Sequence, residues 1–151
     1  MKQPPAKHVT SRANSPRQQA RLRRLPRVEF VQWAVRTLGG KWQSGWERSR
    51  GFPGQIIPWS STGDAPVADD CWYPIQVKQK DKAGRPDIDA FEAVMMREER
   101  KLGYFVSFEF TGDARYEIDR FQRQTGRTIK PLTVREILDE ELATSANHAA
   151  E

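Results

Sequence analysis

The residues best suited to chemistry lie together near the middle of this 151-residue chain, in the run Gln76-Val77-Lys78-Gln79-Lys80. If the run is a strand, alternate side chains share one face, so Gln76, Lys78 and Lys80 point the same way. One amide oxygen and two ammonium groups are an unusual set for a half-buried face. The pattern alone fits either a site for an anionic group or an edge strand whose lysines prevent aggregation.

Several other chemistries are excluded by residue types. The two histidines, His8 and His148, lie close to the chain ends, which argues against a Ser-His-Asp triad or a histidine base. The single cysteine, Cys71, cannot form an internal disulfide or a cysteine-rich zinc site. No glycine-rich loop with phosphate-binding spacing follows a strand. Any hydrolysis would therefore depend on lysine, carboxylates and a metal.

The elements that must position these residues can be read from apolar spacing and from capping residues. Helices are predicted at 28–38, 86–101, 111–125 and from 133 onward, and strands at 55–57, 72–78, 104–110 and 128–130. This order predicts an α/β domain of three layers, with a mixed central sheet flanked by helices. Asp87 and Asp89 are interpreted as helix-start acids. Glu117, among the arginines of the third helix, is interpreted as part of its solvent-facing side.

Three sequence runs occur in a specific order around Gln76 and Lys78. They are Pro74-Ile75-Gln76-Val77-Lys78-Gln79, then Gly84-Arg85-Pro86-Asp87-Ile88, then Gly103-Tyr104-Phe105-Val106-Ser107-Phe108 with Phe110-Thr111 and Ala114. Together they resemble the Mrr-type restriction endonuclease domain of the PD-(D/E)XK nuclease superfamily, versions of which also occur beside DNA methyltransferases. The resemblance covers about residues 73–138, roughly half the chain.

The resemblance implies a restriction-endonuclease-like fold and metal-dependent cleavage of DNA. Gln76 would occupy the metal-proximal position, Lys78 would orient or activate the attacking water, and Mg²⁺ would polarise the phosphoryl oxygen. Lys80, Lys82 and Arg85 would contact DNA phosphates beside the site, although a role as solvated loop residues explains them equally well.

The sequence departs from the family at its second metal ligand. The family has an Asp on the preceding strand, in a turn that corresponds here to Gly51-Phe52-Pro53-Gly54, so Pro53 stands where the carboxylate is expected. Either a nearby acid replaces it, or cleavage is lost; the candidates are Asp64, Asp69 and Asp70, of which Asp70 is taken as the metal ligand beside Gln76. We therefore expect impaired catalysis.

The net charge of +5 is unevenly distributed. Residues 1–27 contain eight of the 25 Lys and Arg residues and no acid, which leaves 17 bases and all 20 acids, a net charge of −3, for the remainder. This segment has few large apolar residues, so it is predicted to be a disordered basic arm, either a solvated leader or an attractor of phosphates. The domain is then predicted at 28–142, with a disordered tail at 143–151.

No apolar run is long enough for a membrane span or a signal peptide, so a cytoplasmic protein is expected. The resulting hypothesis is a DNA-binding, endonuclease-like domain of a restriction or restriction-modification system, impaired by Pro53. The alternatives are a non-catalytic module that binds DNA or a partner methyltransferase, and a truncated product without a specific ligand. A homodimer is left open.

Overall fold

The computed structural model describes residues 16–46, 51–58 and 71–141. The helices are α1 (residues 16–24), α2 (Arg27–Thr37), α3 (Arg85–Arg97), α4 (Gly112–Thr125) and α5 (residues 134–141). The strands are β1 (Lys41–Trp42), β2 (Gly54–Ile56), β3 (Tyr73–Val77), β4 (Leu102–Ser107) and β5 (Thr128–Thr133). In the described ranges, no helix has both the length and the apolar character needed to cross a membrane.

The five strands form one sheet in which neighbours in sequence are neighbours in space. β2 runs antiparallel to both of its neighbours, β1 and β3, whereas β3, β4 and β5 run parallel. The parallel connections pass through α3 and α4, as parallel pairs require a crossover. The predicted α/β class with a mixed sheet is confirmed.

Alternating side chains divide the core between the two faces of the sheet. Ile75 and Val77 of β3 and Val106 of β4 pack with Phe30 of α2, while Phe105, one position before Val106, packs with α3 and α4. Each cluster contains a dozen buried residues, and each is covered by helices. The arrangement is therefore three layers, with the sheet in the middle, as the sequence predicts.

The two edge strands are short or interrupted. β1 has two residues, and β5 contains Pro131, which is in register with Phe105 of the neighbouring β4. An inner strand hydrogen-bonds to a neighbouring strand on each side, and proline has no N–H to donate. Pro131 therefore fits an edge strand, which has a neighbour on one side only. The sequence pattern indicated only Thr128–Lys130 because a proline normally ends a strand.

The first predicted boundary is wrong, because part of the supposed arm is folded. Residues 16–24 form α1, and Leu22, with only 7% of its surface exposed, joins the core beside Val77. A single leucine among four arginines gave too weak an apolar pattern to predict this helix, since its stability comes from packing against distant residues. Residues 1–15 and the predicted tail at 143–151 lie outside the described ranges.

The prediction for β4 also needs correction at its end. The strand stops at Ser107, so Phe108 packs in the same cluster as Val106 but Phe110 turns to the opposite face. There its ring contacts Phe105 edge-on, with centroids 5.8 Å apart. The alternation that would have placed Phe110 beside Phe108 holds only while the chain stays extended.

Candidate functional site

Gln76 is the next-to-last residue of β3 and is buried, with 8% of its surface exposed. Its amide Nε2 donates to the carbonyl oxygen of Gly51 at 2.7 Å, and its Oε1 accepts from the backbone N–H of Val77 at 2.9 Å. Both ends of the amide are thus engaged. The side chain joins β3 to the segment that leads into β2.

Pro53 directly precedes β2 and comes opposite Gln76 when the register of β2 and β3 is continued by one residue beyond its last pair. The antiparallel register pairs Gly54 with Ile75, so the residue before Gly54 is opposite the residue after Ile75. Pro53 is buried, and its carbonyl oxygen accepts from the backbone N–H of Gln43 at 2.9 Å. The expected carboxylate position is therefore adjacent to Gln76 in space, but a proline ring cannot bind a metal.

Lys78 and Lys80 follow directly after β3, at its carboxyl end. The backbone N–H of Lys78 continues the pairing with β4, donating to Val106 at 2.9 Å, and the carbonyl of Lys80 accepts from Ser107 Oγ at 3.1 Å. Lys80 Nζ lies 2.9 Å from Asp87 Oδ2. The structure thus brings two of the predicted site residues together with a carboxylate from α3.

Asp87 has two roles here. Its Oδ2 accepts from the backbone N–H of Gly84 at 2.9 Å, which caps α3, so the predicted helix-start role is confirmed. Partial burial would raise the pKa of this carboxyl group, but the hydrogen bond from Lys80, the bond from Gly84 and the charges of Lys80 and Lys78 lower it below its ordinary value. Asp87 is therefore ionised at neutral pH, and it neutralises part of the lysine charge.

The described residues around Gln76 do not fit Mg²⁺. This ion prefers hard oxygen ligands and is commonly held by carboxylates. Gln76 offers one carbonyl oxygen, already hydrogen-bonded; Pro53 offers none; and Asp87 is committed to Lys80 and Gly84. Asp70, the predicted charged ligand, lies outside the described residues.

The remaining predicted DNA contacts, Lys82 and Arg85, both have exposed side chains. Lys82 lies in the loop that connects β3 to α3. Arg85 at the start of α3 is held by acids of the helices: its Nε is 3.7 Å from Asp89, and its Nη2 is 3.5 Å from Glu117. Lys82 lies with Lys78 and Lys80 in residues 78–84, the segment between β3 and α3, which we call the lysine loop. Arg85, in contrast, is paired with acids of α3 and α4.

The sequence did not indicate a second cluster, which joins α3 to α4. Glu117 is completely buried, and Arg120 holds it through two hydrogen bonds, from Nε at 2.7 Å and from Nη2 at 2.8 Å. The solvent-facing role predicted for Glu117 is therefore wrong. Its spacing after Ala114 and before Phe121 was the available signal, because positions i, i+3 and i+7 share one helix face.

Glu92 and Asp89 of α3 complete this cluster. One carboxylate oxygen from each of Asp89, Glu92 and Glu117 lies within 4.8 Å of the other two, a set that could hold a cation. Arg120 and Arg85 already supply positive charge to Glu117. The cluster is thus explained by ion pairing and needs no ion.

The two glutamates have opposite pKa shifts. Hydrogen bonds from Arg120 lower the pKa of Glu117 to about 2, against the effect of its burial. The pKa of Glu92 is raised to about 8, mainly by burial and then by the hydrogen bond with Glu117 and the negative charge of Glu117. Oε2 of Glu92 is buried and has no hydrogen-bond partner within the described part of the chain. The raised pKa favours the neutral form of Glu92, which leaves Glu117 as the charged member of the pair.

Comparison of the chain with known protein families found no match, and comparison with curated proteins found none either. Evidence on function therefore comes from the sequence runs around Gln76 and Lys78 and from the geometry described above.

Proposed function

We propose that this protein is a DNA-binding domain with the restriction-endonuclease-like fold of the Mrr type, belonging to a restriction or restriction-modification system, and that its cleavage is impaired. The observation that carries the proposal is the position of Pro53, which comes opposite Gln76 when the β2–β3 register is continued by one residue, with Lys78 directly after β3. This is the arrangement expected if the sequence resemblance is correct and one metal ligand has been replaced.

The fold supports this proposal in outline. The resemblance implies a mixed central sheet flanked by helices, and the chain has a mixed sheet with helices on both faces. The alignment receives independent support from strand pairing. Pro53 was matched to the missing carboxylate by its sequence context alone, and continuing the register of β2 and β3 by one residue brings it opposite Gln76, which supports the match.

Binding of DNA is favoured by the charge of the loop after β3. Lys78, Lys80 and Lys82 lie within five residues, and Asp87 contacts the ammonium group of Lys80. Lys80 and Lys82 are exposed and can reach a phosphate. Contacts of this kind hold any duplex sequence, and they weaken as salt concentration rises.

A second candidate is a module that binds DNA or a partner methyltransferase without any cleavage. The donor set around Gln76 favours it, because the described residues do not fit Mg²⁺. The two candidates differ in whether restoring a carboxylate creates activity.

The first test incubates supercoiled and methylated plasmids with the parent protein and Mg²⁺ or Mn²⁺, beside Lys78→Ala. We expect the parent to retard duplex DNA in gels in a salt-sensitive manner without nicking it, and Lys78→Ala to bind several-fold more weakly. Lys101→Ala is the matched control, since Lys101 is exposed but precedes β4 at the opposite end of the sheet. If the parent nicks the plasmid and Lys78→Ala does not, the proposed impairment of cleavage is wrong. Failure of the folded parent to bind duplex DNA would contradict the proposal itself.

The second test is Pro53→Asp. A carboxylate at this position would face Gln76 and complete a pair of oxygen ligands, so we expect plasmid nicking that requires Mg²⁺ or Mn²⁺. Combining it with Lys78→Ala should abolish the gain. Thermal unfolding with and without Mg²⁺ provides a readout apart from activity, because a buried carboxylate that gains a cation should raise the melting temperature. If Pro53→Asp folds but neither nicks DNA nor responds to Mg²⁺, the assignment of Pro53 to the missing ligand is wrong, and the non-cleaving module is favoured.

A further inference from the structure

Helix α1 carries a row of arginines on its outer face. Arg17, Arg21 and Arg24 are spaced four and three residues apart, so they lie on one side of the helix. All three side chains are exposed, and none forms an ion pair with any residue in the described ranges. No acid precedes Glu29 in the sequence. The row is therefore a local concentration of uncompensated positive charge.

The opposite side of α1 is fixed to the domain. Leu22 is buried in the core, and Nε2 of Gln79 donates to the carbonyl oxygens of Leu22 at 3.0 Å and Leu25 at 2.8 Å, at the end of the helix. Arg23 pairs with Asp81 at 3.2 Å and stacks over Phe108 at 4.5 Å. Gln79 and Asp81 belong to the lysine loop, so α1 and that loop form one continuous surface.

The arginine row differs from the described arginines that are paired with acids elsewhere in the fold. Arg85, Arg115 and Arg120 each have an acidic partner within 4 Å. Three like charges on adjacent turns repel one another, which disfavours the folded state unless a partner neutralises them. Guanidinium groups pair with phosphate oxygens through two parallel hydrogen bonds, a geometry that lysine cannot provide.

We propose that α1 contacts the phosphate backbone of duplex DNA through Arg17, Arg21 and Arg24, extending the surface of the lysine loop. The three residues span about 10 Å along the helix at 1.5 Å per residue, a length over which each strand of a duplex carries about three phosphates. This inference rests on the proposed function. It adds α1 as the element that holds the duplex against the domain. The sequence had assigned the residues of α1 to a disordered arm.

The test measures the affinity of the full chain for a short fluorescent duplex across a range of salt concentrations. One variant replaces Arg17, Arg21 and Arg24 by Gln. The matched control replaces Lys101, Arg123 and Lys130 by Gln, so it loses the same charge from exposed positions away from α1. Loss of three phosphate contacts should reduce the slope of log affinity against log salt by about 2.7, at about 0.9 per contact. The control should keep the slope of the parent.

The outcomes separate this inference from the proposed function. If the parent does not bind the duplex, the proposed function fails. If the parent binds and the α1 variant keeps the slope of the control, the function stands and the inference is wrong. Binding of the parent to phosphatidylserine vesicles but not to the duplex, lost in the α1 variant, would assign the arginine row to a membrane surface and would also overturn the inference.

A measurement on the parent protein avoids any effect of the substitutions on folding. Phenylglyoxal modifies accessible arginines, and mass spectrometry reports each position separately. We expect saturating duplex to slow the modification of Arg17, Arg21 and Arg24 several-fold while that of Arg123 is unchanged. Equal rates at Arg17, Arg21, Arg24 and Arg123 with bound duplex would overturn the inference.

Discussion

Glu92 and Glu117 show how two carboxyl groups can share one buried site. Glu117 is ionised because Arg120 donates two hydrogen bonds to it, whereas burial and the neighbouring Glu117 favour the neutral form of Glu92 over the opposing effect of the Arg120 charge. A carboxylic acid that donates to a carboxylate satisfies both groups with a single proton. The pair therefore joins α3 to α4 most strongly when Glu92 is protonated.

The shifted pKa of Glu92 predicts a change of stability with pH. Because its folded-state pKa of about 8 lies above the ordinary value of 4.5, the contribution is complete below pH 4.5 and is lost as the pH rises through 8. We expect Glu92→Gln, whose amide donates at every pH, to remove this loss and to be about 1 kcal/mol more stable than the parent at high pH. Thermal unfolding between about pH 5 and pH 9 measures it.

Glu140→Gln is the control for this experiment, since Glu140 is exposed on α5. The prediction is contradicted if Glu92→Gln follows the parent across the whole range. The shift of Glu117 has the opposite sign: with a pKa of about 2, its contribution is present above 4.5 and is lost only as the pH falls through 2.

Single residues also show what a sequence can and cannot reveal. The helix-start role of Asp87 followed from its position after Gly84 and Pro86. The shared face of Gln76 and Lys78 stays a prediction, because β3 ends at Val77. The burial of Glu117 could be suspected from spacing. Its ionised state could not, because that depends on where Arg120 and Arg85 place their guanidinium groups in three dimensions.

At the scale of elements, the ends of α3 and α4 differ in how well their residues suit the backbone. Gly126 ends α4 with φ +77°, a conformation that glycine adopts without strain, and the sequence predicted this end correctly. Glu99, two residues after α3, has φ +56°. A side chain in that conformation costs about 1 to 2 kcal/mol relative to glycine. The end of α3 is therefore strained.

We expect Glu99→Gly to raise the free energy of unfolding by about 1 kcal/mol, because it relieves the strain at this position. Gly126→Ala should lower it by a similar amount for the opposite reason. Chemical denaturation of both variants beside the parent measures the difference. A loss of stability in Glu99→Gly would mean that its side chain makes contacts worth more than the strain.

Elements with strong local signals were predictable, and those that depend on distant partners were not. Thr111 and the Thr133–Glu136 pair capped α4 and α5 as predicted, with hydrogen bonds of 3.1 Å from Ala114 to Thr111 and from Glu136 to Thr133. Helix α1 was missed because Leu22 finds its partners in β3 and β4, more than fifty residues away. β1 was missed because it has only two residues, and these are fixed by their pairing with β2.

For the whole molecule, α1 is part of the folded domain and not an appendage. Leu22→Ala should therefore lower the free energy of unfolding by about 2 to 4 kcal/mol, as for other buried leucines, with one cooperative transition. Val28→Ala is the control, because Val28 is half exposed and should change stability by less than about 0.5 kcal/mol. A negligible effect of Leu22→Ala would show that α1 detaches without cost.

Because α1 is folded, much of the positive charge before residue 28 belongs to the domain and not to a disordered arm. Five of the eight bases before residue 28 lie within the described residues: Arg17, Arg21, Arg23, Arg24 and Arg27. Much of the positive charge is thus carried on a rigid surface, where its direction toward a partner is fixed. A rigid array loses less conformational entropy on binding than a disordered arm would.

The two edge strands of the sheet are poorly suited to pairing with additional strands. β1 presents two residues, and the outer side of β5 lacks one N–H at Pro131 and carries the exposed Lys130 beside it. Strand-by-strand extension, the geometry of fibrils and of many shared sheets, meets an obstacle at either edge. Association of folded copies through a shared sheet is therefore disfavoured at both of these edges.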